Sequence, residues 1–162
     1  MKKFTFNLKI TVLSCITMFF VLSSGFIHRE DSRTYIQNVL NRHYDTEGQN
    51  VPLKRYEINI TNNGFCRYRK VYTNGKEEYF AMNLSRFKDV DFYGSGQRGI
   101  LCLRTNNDDV IVQTRNDKAG AIDTMGTYMA IPLKDIDVEE LNTLAEHFRN
   151  WNRELLASAK KE

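Results

Sequence analysis

Between Tyr56 and Leu133 the chain runs through short stretches of alternating apolar and polar residues, broken by Asn-Gly and other turn residues. That pattern restricts it to an antiparallel β architecture. Tyr56, Ile58 and Ile60 alternate with Glu57, Asn59 and Thr61 at strand period, and Asn62-Asn63-Gly64 supplies the positive φ values of a tight primed turn. Asn74-Gly75 repeats the signal eleven residues on. Strands are predicted over 56–60, 65–72, 78–84, 87–93, 100–105, 110–114 and 128–133, with 117–126 as a polar loop.

Helical patterns flank this run. Over 31–44, Tyr35, Ile36, Val39 and Leu40 recur at spacings of three and four, with Asp31 or Ser32 as the cap. Near the C-terminus, Asp137 and Glu140 form a capping-box pattern. Leu141, Leu144, Ala145, Phe148, Trp151 and Leu155 then make one apolar stripe. Seven short strands leave exposed edges unless the sheet curls or closes, and the last helix can plug an open end. The expected fold is mainly β with α. It is a seven-stranded antiparallel curled sheet or barrel capped by a C-terminal helix, preceded by an extra helix and an N-terminal signal or transmembrane segment. An open antiparallel sheet packed on helices, as in cystatin-like or nuclear-transport-factor-like folds, is the rival.

Lys2, Lys3 and Lys9 precede an uncharged stretch from Ile10 to Ile27. As a helix those residues would span about 27 Å, close to the ~30 Å hydrocarbon core. The small residues Ser23, Ser24 and Gly25 fit a cleavage site, so a cleaved signal peptide and an uncleaved signal anchor both stand. Either exports everything after Ile27, leaving it single-pass with the N-terminus inside, or periplasmic or extracellular once cut. Cys15 starts the longer half of the apolar run rather than ending it, which does not fit a lipidation site. The short Lys-rich start and the composition fit a bacterial chain, in which the sequons at Asn59 and Asn83 are not expected to be used.

The leader also explains the net charge of +3. Of 23 Lys+Arg, three lie in the leader, leaving 20 against 20 Asp+Glu. A neutral body has no summed field for phosphate backbones, so nucleic acid is not an expected partner. The division expected is leader 1–27, helix and linker 28–53, and β domain with its helix 54–162.

Chemistry-bearing motifs are sparse. Gly94-Ser95-Gly96-Gln97-Arg98-Gly99 matches a dinucleotide fingerprint, yet the strand-like Ile100-Leu101-Cys102-Leu103 follows where a helix is required, so it reads as a hairpin loop. His28, His43 and His147 fall into no nucleophile or zinc pattern. Cys66 and Cys102 can form one disulfide in an oxidising compartment or pack as two buried thiols. No cofactor or metal motif is present.

Seven strands followed by a helix carrying the only tryptophan, Trp151, resemble the pleckstrin-homology-like superfold over about residues 54–157. Lys54 with Arg67-Tyr68-Arg69 is similar to the basic signature that some of its members use for phosphoinositides. The resemblance implies an anionic ligand at Lys54, Arg67 and Arg69. The expected function is a non-catalytic exported binding or scaffold module, whose partner is another protein or the membrane surface. Two alternatives are kept: a carrier of a small hydrophobic ligand lined by Tyr68, Tyr72, Tyr79, Phe80 and Phe92, and a small cystatin-like enzyme using His43 or His147 with a carboxylate.

Overall fold

The computed structural model describes residues 31–47 and 51–160, which belong to one compact unit. The expected leader lies outside the described residues. The described elements run α1 (Ser32–His43), β1 (Leu53–Ile60), β2 (Phe65–Tyr72), β3 (Glu77–Asn83), a single 3₁₀ turn (Leu84–Arg86), β4 (Phe87–Gly94), β5 (Arg98–Thr105), β6 (Val110–Arg115), β7 (Asp123–Gly126), β8 (Tyr128–Lys134) and α2 (Val138–Ala159). Among the described residues the protein is mainly β with two helices.

All strand pairs are antiparallel, but they form two sheets rather than one curled sheet. One sheet has the order β1-β2-β3-β6-β7 and the other β4-β5-β8. The chain leaves the first sheet at the 3₁₀ turn, where the Asn83 side chain accepts from Ser85 N. It builds the β4–β5 hairpin in the second sheet and returns to add β6 beside β3. The Gly94–Gly99 segment joins β4 to β5 as a hairpin loop.

Among the described residues there are eight strands, not seven. β7 lies within the stretch expected to be a polar loop, and its burial pattern explains why. Asp123, Thr124 and Met125 are exposed on a sheet edge, so nothing selects for apolar alternation there.

The inner faces of both sheets and both helices share one core. Ile36, Val39 and Leu40 of α1 are fully buried, together with Ile60, Tyr68, Leu84, Leu103, Ile131, Leu144 and Phe148. Burial of each large apolar side chain contributes roughly 1.5–3 kcal/mol. α1 is therefore part of the core. Its Gln37 also covers the outer edge of β1: Nε2 donates to Ile58 O and Oε1 accepts from Ile60 N, both at 2.8 Å. One side chain thus stands in for a neighbouring strand. Just beyond α1, Tyr44 bridges to Leu133 and Asp45 N donates to Pro132 O, which covers the edge of β8.

Half of the expected capping box forms. Asp137 accepts from Glu140 N at 2.7 Å, but the Glu140 side chain turns to α1 rather than back to its own helix start. Phe87 and Phe148 stack at 5.7 Å, and Asn152 donates to Leu84 O at 2.6 Å, fixing α2 over the 3₁₀ turn.

Candidate binding faces

The outer face of the five-stranded sheet carries two of the three residues that the basic signature points to. Strand register aligns Glu57, Arg69, Tyr79, Gln113 and Asp123 in one row across all five strands. Arg69 is held by Glu77 at 2.8 Å and lies 3.9 Å from Glu57. The Arg69 hydrogen bond holds Glu77 below the usual carboxylate range. A groove of about 540 Å³ runs from the β1 edge across this face, lined by Asn41, Tyr56, Asn59, Arg67, Arg69 and Tyr79 among others. A second groove of about 430 Å³ adjoins it through Arg69 and Tyr79 and reaches Gln113 and Arg115. Arg67 and Arg69 thus share a groove. Lys54 does not line either one; it sits at the register shift between Leu53 and Arg55.

The opposite face of the same strands holds a cluster that residue-by-residue reading missed. Lys70 pairs with Glu78 at 2.9 Å and lies 5.4 Å, 5.9 Å and 5.4 Å from the ring centres of Tyr68, Tyr72 and Phe80. Tyr72 donates to Glu78 at 2.8 Å, and Lys76 bridges Glu78 and Asp117. Burial alone would raise the Glu78 carboxyl; hydrogen bonds from Lys70, Lys76 and Tyr72 together outweigh it and hold the group below the usual range. The Tyr44 and Tyr68 hydroxyls lie 2.7 Å apart, and desolvation pushes Tyr44 up to about 12. The signal available was cross-strand. The Asn74-Gly75 turn sets Lys70 opposite Glu78, as observed.

These aromatics pack. Tyr68 is fully buried and stacks on Phe80 at 5.7 Å, while Tyr79 faces outward into the grooves. Phe92, on β4, packs against the shared core.

Both helix-borne histidines sit where α1 and α2 meet, running antiparallel. His147 Nδ1 is 3.1 Å from Ser32 Oγ, and its ring stacks on Tyr35 at 4.0 Å. His43 is buried, with Nδ1 3.0 Å from Lys134 O and Nε2 3.0 Å from Glu140 Oε2, the latter without hydrogen-bond alignment. A His and a carboxylate do converge here, as a clamp between helices, with Arg42 sharing Glu140 at 3.0 Å. Among the described residues no group of three or more His, Cys, Asp or Glu is placed to hold a metal ion. No described helix is long and apolar enough to cross a membrane.

Cys66 and Cys102 are both free thiols. Cys66 points into the core from β2; Cys102 alternates with the core residues Leu101 and Leu103 and so faces the other side of β5. Desolvation pushes Cys66 up to about 12 and raises Cys102 as well.

That side of β5 belongs to the outer face of the three-stranded sheet. Tyr93 is 55% exposed, Ile100 39% and Tyr128 51%. Register places Tyr93 opposite Ile100, Ile100 opposite Pro132, and Arg104 opposite Tyr128. Arg104 is pinned by Asp91, donates to the Tyr93 hydroxyl at 2.7 Å and lies 5.9 Å from the Tyr128 ring centre. No periodicity argument singles out this face, because Tyr93, Ile100 and Tyr128 come from three strands. Compared with known proteins, this chain matches no family model, no curated protein and no solved structure.

Proposed function

We propose that this domain is a non-catalytic binding module, carried out of the cytoplasm by its leader, that engages a protein partner through the outer face of the three-stranded sheet. One observation carries the reading: Tyr93 and Ile100 are exposed in one row of this sheet face, and Tyr128 is exposed further along it, beside Arg104. Large apolar side chains exposed on one face are a common mark of a recognition site. Tyrosine and arginine are enriched at the hot spots of such sites, and tyrosine buries large area at low entropic cost. Here Arg104 is already fixed and neutralised by Asp91, so docking need not desolvate an unpaired charge. The partner that fits is flat and largely apolar, with a polar rim.

His43 has a neighbour at each ring nitrogen within the helix clamp, which favours a structural role over proton transfer. Filled packing around Tyr68 and Phe80 favours a scaffold over a carrier. A pleckstrin-homology-like ancestry belongs to the same proposal. Two antiparallel sheets with a C-terminal helix support it, and the placement of β6 beside β3 departs from a simple meander.

The test places a photo-crosslinking amino acid at Tyr128 of the full-length protein in its native host. A discrete protein adduct, lost on Ile100→Asp, is expected. No adduct, or one indifferent to Ile100→Asp, overturns the proposal.

A further inference from the structure

The five-stranded sheet offers a second surface, independent of the first. Arg67 and Arg115 stand at opposite ends of the two adjoining grooves, two strands and four rows apart, with Tyr79 midway between them. Strand geometry puts their Cα atoms about 16 Å from each other. Neither arginine is in an ion pair among the described residues; Arg67 lies 5.8 Å from the ring centre of Phe65 and makes no acidic contact there. Arg69 differs, because Glu77 and Glu57 already hold it beside Tyr79.

We infer that this surface binds an acidic polysaccharide, with Arg67 and Arg115 taking carboxylates of two separated uronic-acid-type units and Tyr79 stacking on a ring between them. The lining favours a sugar over an acidic peptide. Asn59 and Gln113 offer amides, and Glu57 and Glu77 offer acceptors, so donors and acceptors alternate along the grooves. Hydroxyl groups, which both donate and accept, satisfy such a mixture, whereas the side chains of an acidic peptide only accept. A peptide adding as a strand needs an open edge, and Gln37 occupies the β1 edge beside the groove. Planar faces such as Tyr79 give ring contact without sequence-specific pockets.

The experiment titrates the full-length protein with oligogalacturonate, neutral dextran and polyglutamate by calorimetry. Oligogalacturonate is expected to bind, dextran not to, and polyglutamate at least tenfold more weakly. Arg67→Ala and Arg115→Ala should each weaken oligogalacturonate binding by about tenfold, the scale of one charge-assisted hydrogen bond. Tyr79→Leu, which keeps the bulk on the sheet, should weaken it several-fold, while Tyr79→Phe should not. Arg67 and Arg115 are exposed, so their loss does not threaten folding. Equal affinity for polyglutamate or dextran, no binding of oligogalacturonate, or affinity unchanged in both arginine variants overturns the inference.

Discussion

Leu155 of α2 rests directly on Gly64 of the β1–β2 turn: a Cβ at position 64 would lie 2.4 Å from Leu155 Cδ1. The turn also needs φ of +81° at that residue. One glycine thus meets a backbone demand and a packing demand at once.

Gly64→Ala is expected to destabilise the protein by about 2–3 kcal/mol, from left-handed strain plus overpacking. Urea unfolding followed by the fluorescence of Trp151, the only tryptophan, measures it. Adding Leu155→Ala should recover the packing share and leave the strain share, so the double variant loses less than the sum of the two single losses.

Gln37 makes two backbone hydrogen bonds at the β1 edge, with Ile58 O and Ile60 N. Gln37→Leu leaves Ile58 O and Ile60 N to find water or go unpaired, at about 2 kcal/mol. Faster hydrogen exchange at the Ile60 amide, with the β5 amides unchanged, is the expected signature.

Acid should weaken the domain through Glu78. Its folded pKa lies below the unfolded value of about 4.3. The stabilisation it gives is therefore present above the unfolded pKa and is lost as pH falls through the folded one. Glu78→Gln should lower the urea midpoint at neutral pH, and the gap from the parent should narrow toward pH ~3. A gap independent of pH contradicts the assigned role.

Alkali acts with the opposite sign. Burial raises Tyr44 from 10.0 to about 12, so its contribution is intact below the unfolded value and is lost as pH rises through the folded one. Tyrosinate absorbance during base titration should show a late-ionising class, diminished in Tyr44→Phe.

Both thiols should be slow toward iodoacetamide in the folded state at mildly alkaline pH, because only the thiolate reacts and burial disfavours it. Cys102, 7% exposed on an outer face, should react before Cys66, which is fully buried. Mass-resolved labelling over time distinguishes them.

Local signals served well wherever one face of an element is wet and the other dry. The alternation at Tyr56–Ile60, the Asn-Gly turns and the Leu144–Phe148 stripe all mark a side facing the core, and the structure places them accordingly. Asp123–Gly126 is an edge strand without a dry side, so its residues carry no such record. The partition into two sheets depends on β6 pairing with β3 across an intervening hairpin, a long-range choice that no local period encodes. The binding faces were legible in proportion to how local they are. Arg67 and Arg69 share a face by simple alternation, whereas Tyr93, Ile100 and Tyr128 come onto one face only once three strands are in register.

The Ser32–His147 and His43–Glu140 contacts join the first described helix to the last. Every strand is therefore synthesised before the segment that completes the interior is available. A chain still emerging from the ribosome lacks Leu144 and Phe148 and cannot close around α1. Such late closure defers consolidation of the interior until the final helix arrives.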